Sequence, residues 1–239
     1  MARVKSEKKN KSKRSIWRIL FLYIPLGFVV FTVSWVLVLK WLPVWYTPLM
    51  AVKSIENISD KTYVTYKTWK PLKKISKNMV MAVIASEDNR FDTHSGFDFV
   101  EIDRALDAHE RGKKLRGAST ISQQTAKNVF LFPSRSFIRK GFEAYFTLLI
   151  EIIWGKERIM EVYLNVAEMG RGVFGAEAAA KVHFKTSAYK LSPRQSALIA
   201  ATLPNPIKRT ASNPSNYVSR RAARIQNLMG KVAKPDWIK

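Results

Sequence analysis

Asn78-Met79-Val80-Met81-Ala82-Val83-Ile84-Ala85-Ser86 is an apolar run of helical length, and Glu87-Asp88-Asn89-Arg90-Phe91-Asp92-Thr93-His94-Ser95-Gly96 follows it directly. The first part reads as a helix in apolar surroundings, the second as its polar exit loop. Glu87 and Asp88 fall at the C-terminal end of that helix, where acids oppose the helix dipole at about 0.3–1 kcal/mol each. Two readings follow: solvated loop acids, or a carboxylate kept for chemistry. His94 reads either as a proton-transfer group near neutral pH or as a ring that fixes its loop by a hydrogen bond.

The helical pattern continues on the C-terminal side. Asp98 with Glu101 has the form of a capping box, and the helix it opens ends at Gly112. Thr120 with Gln123 caps the next helix, roughly to Leu131. A long apolar-faced stretch runs from Ile138, breaks at Trp154-Gly155 and continues to about Glu168. Gly170, Gly172 and Gly175 mark a loop. Ser192-Pro193-Arg194-Gln195 combines an N-cap, a proline at the first helical position and a capping-box partner. That helix stops at Leu203-Pro204-Asn205-Pro206, and a last amphipathic one spans about Tyr217 to Met229. Only Thr62 to Trp69 has strand character, and weakly. The fold class is mainly α, in one domain with room for two lobes.

On the N-terminal side, Ile19 to Leu39 carries no charged residue. At 1.5 Å per residue that is about 30 Å, the thickness of one bilayer core. A cleaved signal peptide has a shorter apolar core of about 7–15 residues with small residues at the cut. Here Lys40-Trp41-Leu42-Pro43 follows a longer run, so the reading is an uncleaved anchor. Arg3, Lys5, Lys8, Lys9, Lys11, Lys13, Arg14 and Arg18 precede the span against one acid, Glu7. The positive-inside rule then puts the N-terminus in the cytoplasm and the rest outside.

Charge and composition narrow the function. Lys and Arg total 41 against 18 acidic residues, a net +23. Most of that excess lies beyond the span, beside a membrane surface. Nucleic acid therefore falls away as a partner, and anionic or phosphorylated lipid takes its place. The absence of cysteine removes disulfides, thiolate metal sites and a cysteine nucleophile. His94, His109 and His183 are too far apart for a helical metal pair, so no metal–imidazole site is expected.

Gly117-Ala118-Ser119-Thr120-Ile121-Ser122-Gln123-Gln124-Thr125-Ala126-Lys127-Asn128 gathers hydroxyls at a helix start, where backbone N–H groups attract anions. Gln123 with Lys127 and Gln124 with Asn128 are i,i+4 pairs, which put amides and a cation on shared faces. This mixture suits a sugar carrying a phosphate, or a plain hydrophilic surface. Arg135, Arg139 and Lys140 extend an anionic subsite or are ordinary surface charges. Glu143 sits on a helix apolar over much of its circumference and needs a cation or donor. An ion pair and a functional role both satisfy that need.

In combination these stretches resemble the monofunctional biosynthetic peptidoglycan transglycosylases, whose catalytic domain also forms the N-terminal half of bifunctional penicillin-binding proteins. The first block of the resemblance is Glu87 to Gly96 and the second Gly117 to Asn128. The third is Arg139-Lys140-Gly141-Phe142-Glu143. The fourth runs from Lys156 through Glu161-Val162-Tyr163-Leu164-Asn165 to Gly170, Gly175 and Ala179-Ala180. The fifth runs from Leu191-Ser192-Pro193-Arg194-Gln195-Ser196-Ala197 to Pro204. Two departures stand out: Gln195 where the family usually has Glu, and His183 where it has Tyr.

The resemblance implies a lysozyme-like, two-lobed glycosyltransferase domain behind one transmembrane helix. The expected organisation is a basic cytoplasmic tail at 1–18, the transmembrane helix at 19–39, a membrane-proximal linker or jaw at 40–75 and the glycosyltransferase domain at 76–239. It implies polymerisation of lipid II into glycan strands with release of undecaprenyl diphosphate. Because the chain ends shortly after the fifth block, no transpeptidase activity is expected. Glu87 becomes the general base and Glu143 a second catalytic acid near the diphosphate. Lys127, Arg135, Arg139 and Lys140 become anion contacts. Ser119, Thr120, Gln123, Gln124, Phe91 and Asn165 complete the substrate-binding set. No cofactor is obligatory, though a divalent cation (Mg or Mn) at Glu143 is compatible with the family. Partners would be lipid II, the growing lipid-linked glycan, the membrane and other cell-wall synthesis or division proteins. Two rivals stay open. A lysozyme-like hydrolase would use Glu87 and Glu143 as paired carboxylates and leave Lys127 and Arg135 idle. A non-catalytic membrane-anchored scaffold would need none of them.

Overall fold

A computed structural model describes residues 19–112, 119–134 and 136–238. The chain divides into two units, residues 1–42 and 43–239. In the first, a π-helical turn at Ile19–Tyr23 leads into α1 (Ile24–Trp41). The side chains of Phe21, Leu26, Phe31 and Trp35 are exposed. A helix this apolar with its side chains outward suits hydrocarbon, and Thr32 satisfies its hydroxyl internally on the Phe28 carbonyl at 2.9 Å. α1 runs past Leu39 to Trp41, with the Lys40 ammonium over the Trp41 ring at 5.6 Å. Those are interfacial residue types, which extend a span without lengthening its apolar core. The basic tail at 1–18 lies outside the described residues.

The second unit is mainly helical, with α2 (Pro48–Glu56), α3 (Lys77–Glu87), α4 (Phe99–Glu110), α5 (Ile121–Phe130), α6 (Phe137–Ile153), α7 (Gly155–Val166), α8 (Ala176–Phe184), α9 (Pro193–Thr202) and α10 (Asn216–Met229). α3 is the central rod. Met79, Val80, Ala82, Val83, Ile84 and Ala85 are all buried, as expected of a helix with no polar stripe. α9 and α10 pack on it, α9 through Ala197, Leu198, Ile199, Ala200 and Ala201, and α10 through Val218, Ala222 and Ile225. α5, α6 and α7 form a second mutually packed group. The candidate site lies where α3 meets α5.

The expected helix bounds hold closely because the stop signals are local. Thr120 with Gln123 and Ser192 with Gln195 each make both halves of a capping box. Gln195 therefore supplies the reciprocal bond that a Glu would. Asp98 caps α4 with one half only, accepting from the Glu101 amide at 3.0 Å while the Glu101 side chain turns to Arg104.

Three elements differ from the sequence reading. The strand at 62–69 shrinks to β1 (Tyr66–Lys67). The glycine loop is in part a hairpin of β2 (Glu168–Gly170) and β3 (Val173–Phe174), and β1 pairs with β3 in parallel. Strands this short and mostly buried show no alternation to read. Gly172 and Gly175 shape it with φ of +71° and +85°, and a Cβ on Gly172 would come within 2.4 Å of the Val64 carbonyl. Finally, α2 and α8 are helices that the sequence pattern did not single out. Thr47 caps α2 at the Met50 amide, 3.3 Å away, ahead of a proline at the first position.

Candidate active site

The exit from α3 is fixed by a buried clip. Both Asp88 oxygens lie 3.0 Å from His94 Nε2, and Oδ2 also accepts from the Ile121 amide at 3.0 Å. His94 Nδ1 accepts from the Gly96 amide at 3.1 Å, so the ring proton is on Nε2 and is donated to Asp88. One carboxylate thus ties the α3 exit loop to the first turn of α5. Asp88, His94 and Asp98 bring potential ligand atoms within 4.8 Å of one another. A metal does not fit there. The His94 nitrogen facing Asp88 carries a proton, and Asp98 is engaged by the Glu101 amide and the Arg90 guanidinium. His94 is therefore the loop-fixing ring of the two sequence readings. Thr120 adds a second tie, donating to the Gly96 carbonyl at 2.7 Å.

With Asp88 turned inward, Glu87 points the other way and keeps 13% of its side chain exposed. Both of its oxygens are addressed. Oε1 accepts from the Ser86 hydroxyl at 2.9 Å, and the Arg221 guanidinium of α10 stands 3.7 Å away while donating to Ser86 Oγ at 3.0 Å. Oε2 accepts from the Gln124 amide at 3.3 Å, and Gln124 Oε1 accepts from the Tyr163 hydroxyl of α7 at 3.3 Å. Helices α3, α5, α7 and α10 thus converge on one carboxylate.

Gln124 and Lys127 are three residues apart on α5, so they share a face one turn apart. Glu143 on α6 is 3% exposed and accepts from Arg139 at 2.7 Å, with Lys140 on its other oxygen. Lys127 is exposed along its side chain, yet desolvation holds its pKa below the ordinary lysine value. Glu143 opposes that shift, and the Arg139 and Lys140 charges add to it. Lys127 has no hydrogen-bond or ion-pair partner among the described residues. Arg139 and Lys140 are thus paired with one buried carboxylate whose charge Lys127 also feels, and Lys127 lies one turn along α5 from the Gln124 that donates to Glu87.

The remaining expected residues are placed differently. Ser119 is exposed just before α5. Thr120 and Gln123 are buried and engaged with each other in the capping box. Phe91 is 0% exposed, with the Lys156 ammonium over its ring at 4.7 Å and His94 and Trp237 edge-on. Asn165 is equally interior, bonding the Lys70 amide and carbonyl at 2.8 Å each. Both side chains are interior in this arrangement, Phe91 in the core and Asn165 at a chain crossing. Arg135 lies outside the described residues, as do Gly117 and Ala118. Tyr163 and Arg221 were not expected at the site. Tyr163 stands in the fourth block without a role, and Arg221 was not singled out within its amphipathic helix.

The sequence profile of the Transglycosylase family matches residues 53–230. Proteins named biosynthetic peptidoglycan transglycosylase are similar along nearly their whole length. One from Bacteroides thetaiotaomicron is 55% identical over 205 residues, 85% of this chain and 82% of its own. One from Bdellovibrio bacteriovorus is 50% identical over 218 residues, 90% and 87% of the two chains. Another from Pseudomonas entomophila is 49% identical over 214 residues, 89% and 91%. The chain belongs to the transglycosylase family. It is accordingly a glycosyltransferase enzyme of peptidoglycan biosynthesis, with the mainly helical, lysozyme-like domain of that family.

Proposed function

We propose that the chain polymerises lipid II into glycan strands on the outer face of the cytoplasmic membrane. The observation that carries this reading is that Gln124 of α5 donates to Glu87, while Lys127 lies one turn further along the same helix. Glu87 takes the proton from the acceptor sugar's 4-hydroxyl as that oxygen attacks the anomeric carbon of the growing chain. The bond from that carbon to the diphosphate breaks, the configuration inverts, and undecaprenyl diphosphate leaves with the electron pair. An alcohol is a poor nucleophile until its proton begins to leave, and a positioned base contributes roughly 10²–10⁴-fold.

Charge gathering on the leaving diphosphate is offset by Lys127, with Arg139 and Lys140 alongside. Glu143 holds those two cations in place and is a positioning group in this reading. A divalent metal at Glu143 would have to displace both. Ser119 and Gln124 face the donor sugar from the start of α5. Exposed Phe132, Phe137 and Ile138 lie between Lys127 and Arg139 in sequence, which suits a diphosphate held at a lipid surface.

Supplying lipid II to detergent-solubilised protein should yield long glycan with release of undecaprenyl diphosphate. Muropeptide fragments from added glycan strands, with no polymer, would favour the hydrolase instead. For topology, α1 is read as an uncleaved anchor with residues 1–18 in the cytoplasm and the unit from Pro43 outside. A reporter active only outside the cytoplasm, fused after Lys239, should be active on a protein that retains its basic tail. An inactive fusion, or loss of the tail by cleavage near Lys40, would overturn this orientation.

A further inference from the structure

We propose that Tyr163 is a positioning residue for Glu87, acting through the amide of Gln124. This rests on the reading of Glu87 as the base. Tyr163 is 1% exposed, and its hydroxyl bonds Gln124 Oε1 at 3.3 Å while Gln124 Nε2 bonds Glu87 Oε2 at 3.3 Å. A glutamine amide turned by 180° keeps its shape but exchanges donor for acceptor. Turned here, Gln124 would set an oxygen against the Glu87 carboxylate, acceptor against acceptor. It would also leave the buried Tyr163 proton without an acceptor. The hydroxyl therefore selects the orientation in which the amide donates to Glu87.

The proton that does this is a permanent one. Burial, followed by the charges of Glu87 and Asp88, holds the Tyr163 pKa well above the ordinary tyrosine value. The hydroxyl stays a donor across any pH at which the enzyme works. It touches no substrate in this arrangement, because Gln124 stands between it and Glu87. The other Glu87 oxygen has its own donor in Ser86, backed by Arg221. Loss of the Tyr163 hydroxyl leaves the Gln124 amide free to turn, so its hold on the Glu87 oxygen weakens and the carboxyl group can rotate about its last torsion, which has only a broad preference.

Tyr163→Phe removes the hydroxyl and keeps the ring, so the core around α7 stays filled. With full-length protein in detergent and lipid II as substrate, kcat should fall about 3- to 10-fold, the span of one neutral hydrogen bond read as rate. KM should stay within about twofold, because transition-state geometry is affected rather than binding. In a Gln124→Met background the same substitution should add no further loss, since its effect passes through the amide. Rates are to be normalised to the folded fraction, and Glu87→Gln measured beside them. If Glu87→Gln is inactive and Tyr163→Phe keeps full kcat, or loses activity equally with Gln124 replaced, this inference is overturned while the base remains. A change in KM alone overturns it too. If Glu87→Gln is active, the base assignment fails and the inference with it.

Discussion

Glu87→Gln should lower glycan polymerisation by at least about 10²-fold while the donor still binds, since only the transition state needs a proton acceptor. The substitution keeps the shape and removes the charge. The Ser86 hydroxyl and the Gln124 amide can still donate to the new carbonyl oxygen, but the added NH₂ would face a donor on whichever side it takes. Some loss of positioning accompanies the loss of basicity. Direct binding of a phosphoglycolipid that mimics the donor should be unchanged, because the anion contacts are provided one turn away. Near-normal turnover in this variant would falsify the assignment of Glu87 as base. Weakened binding with intact turnover of bound donor would instead make it a substrate contact.

Lys127→Ala should cost roughly 10- to 150-fold, the rate equivalent of about 1.5–3 kcal/mol for a charge-assisted hydrogen bond. Unlike the Glu87 variant, part of that loss should appear as weaker binding of the donor mimic. Of the three cations near Glu143, the Lys127 ammonium has no partner among the described residues, whereas Arg139 and Lys140 are both engaged by Glu143. Desolvation lowers its pKa, and the folded site is therefore charged below that lowered value and neutral above it. Donor binding should weaken on the alkaline side sooner than an ordinary lysine would allow, and Lys127→Arg should remove that early loss. A donor affinity independent of pH in the parent, with normal binding by Lys127→Ala, would move the anionic subsite towards Arg139 and Lys140. By the family resemblance, Arg135→Ala should also weaken donor binding, and Arg135→Lys should recover only part, since one ammonium cannot reproduce a two-pronged guanidinium grip.

The sequence by itself determined what is local. The ends of α5 and α9 were legible because a capping box is closed within four residues, and α1 because a bilayer-length apolar run needs no partner to be recognised. The blocks around Glu87, Lys127 and Glu143 identified the family before any contact was known. Only the tertiary structure decided which residues of those blocks face the site. Asp88 and Glu87 are neighbours of the same chemistry, yet one is sealed in a clip with His94 and the Ile121 amide while the other keeps 13% of its side chain exposed. Phe91 and Asn165 stand in the same motifs as their functional neighbours and are interior. Burial depends on what packs from elsewhere, and nothing in a motif records it. Tyr163 and Arg221 reach the Glu87 neighbourhood across 39 and 135 residues of chain. Bonds of that span form only when separate helices pack together, α7 on α5 for the first and α10 on α3 for the second. Their geometry comes from the packing of the whole unit, and periodicity, which reports one helix at a time, carries no trace of it.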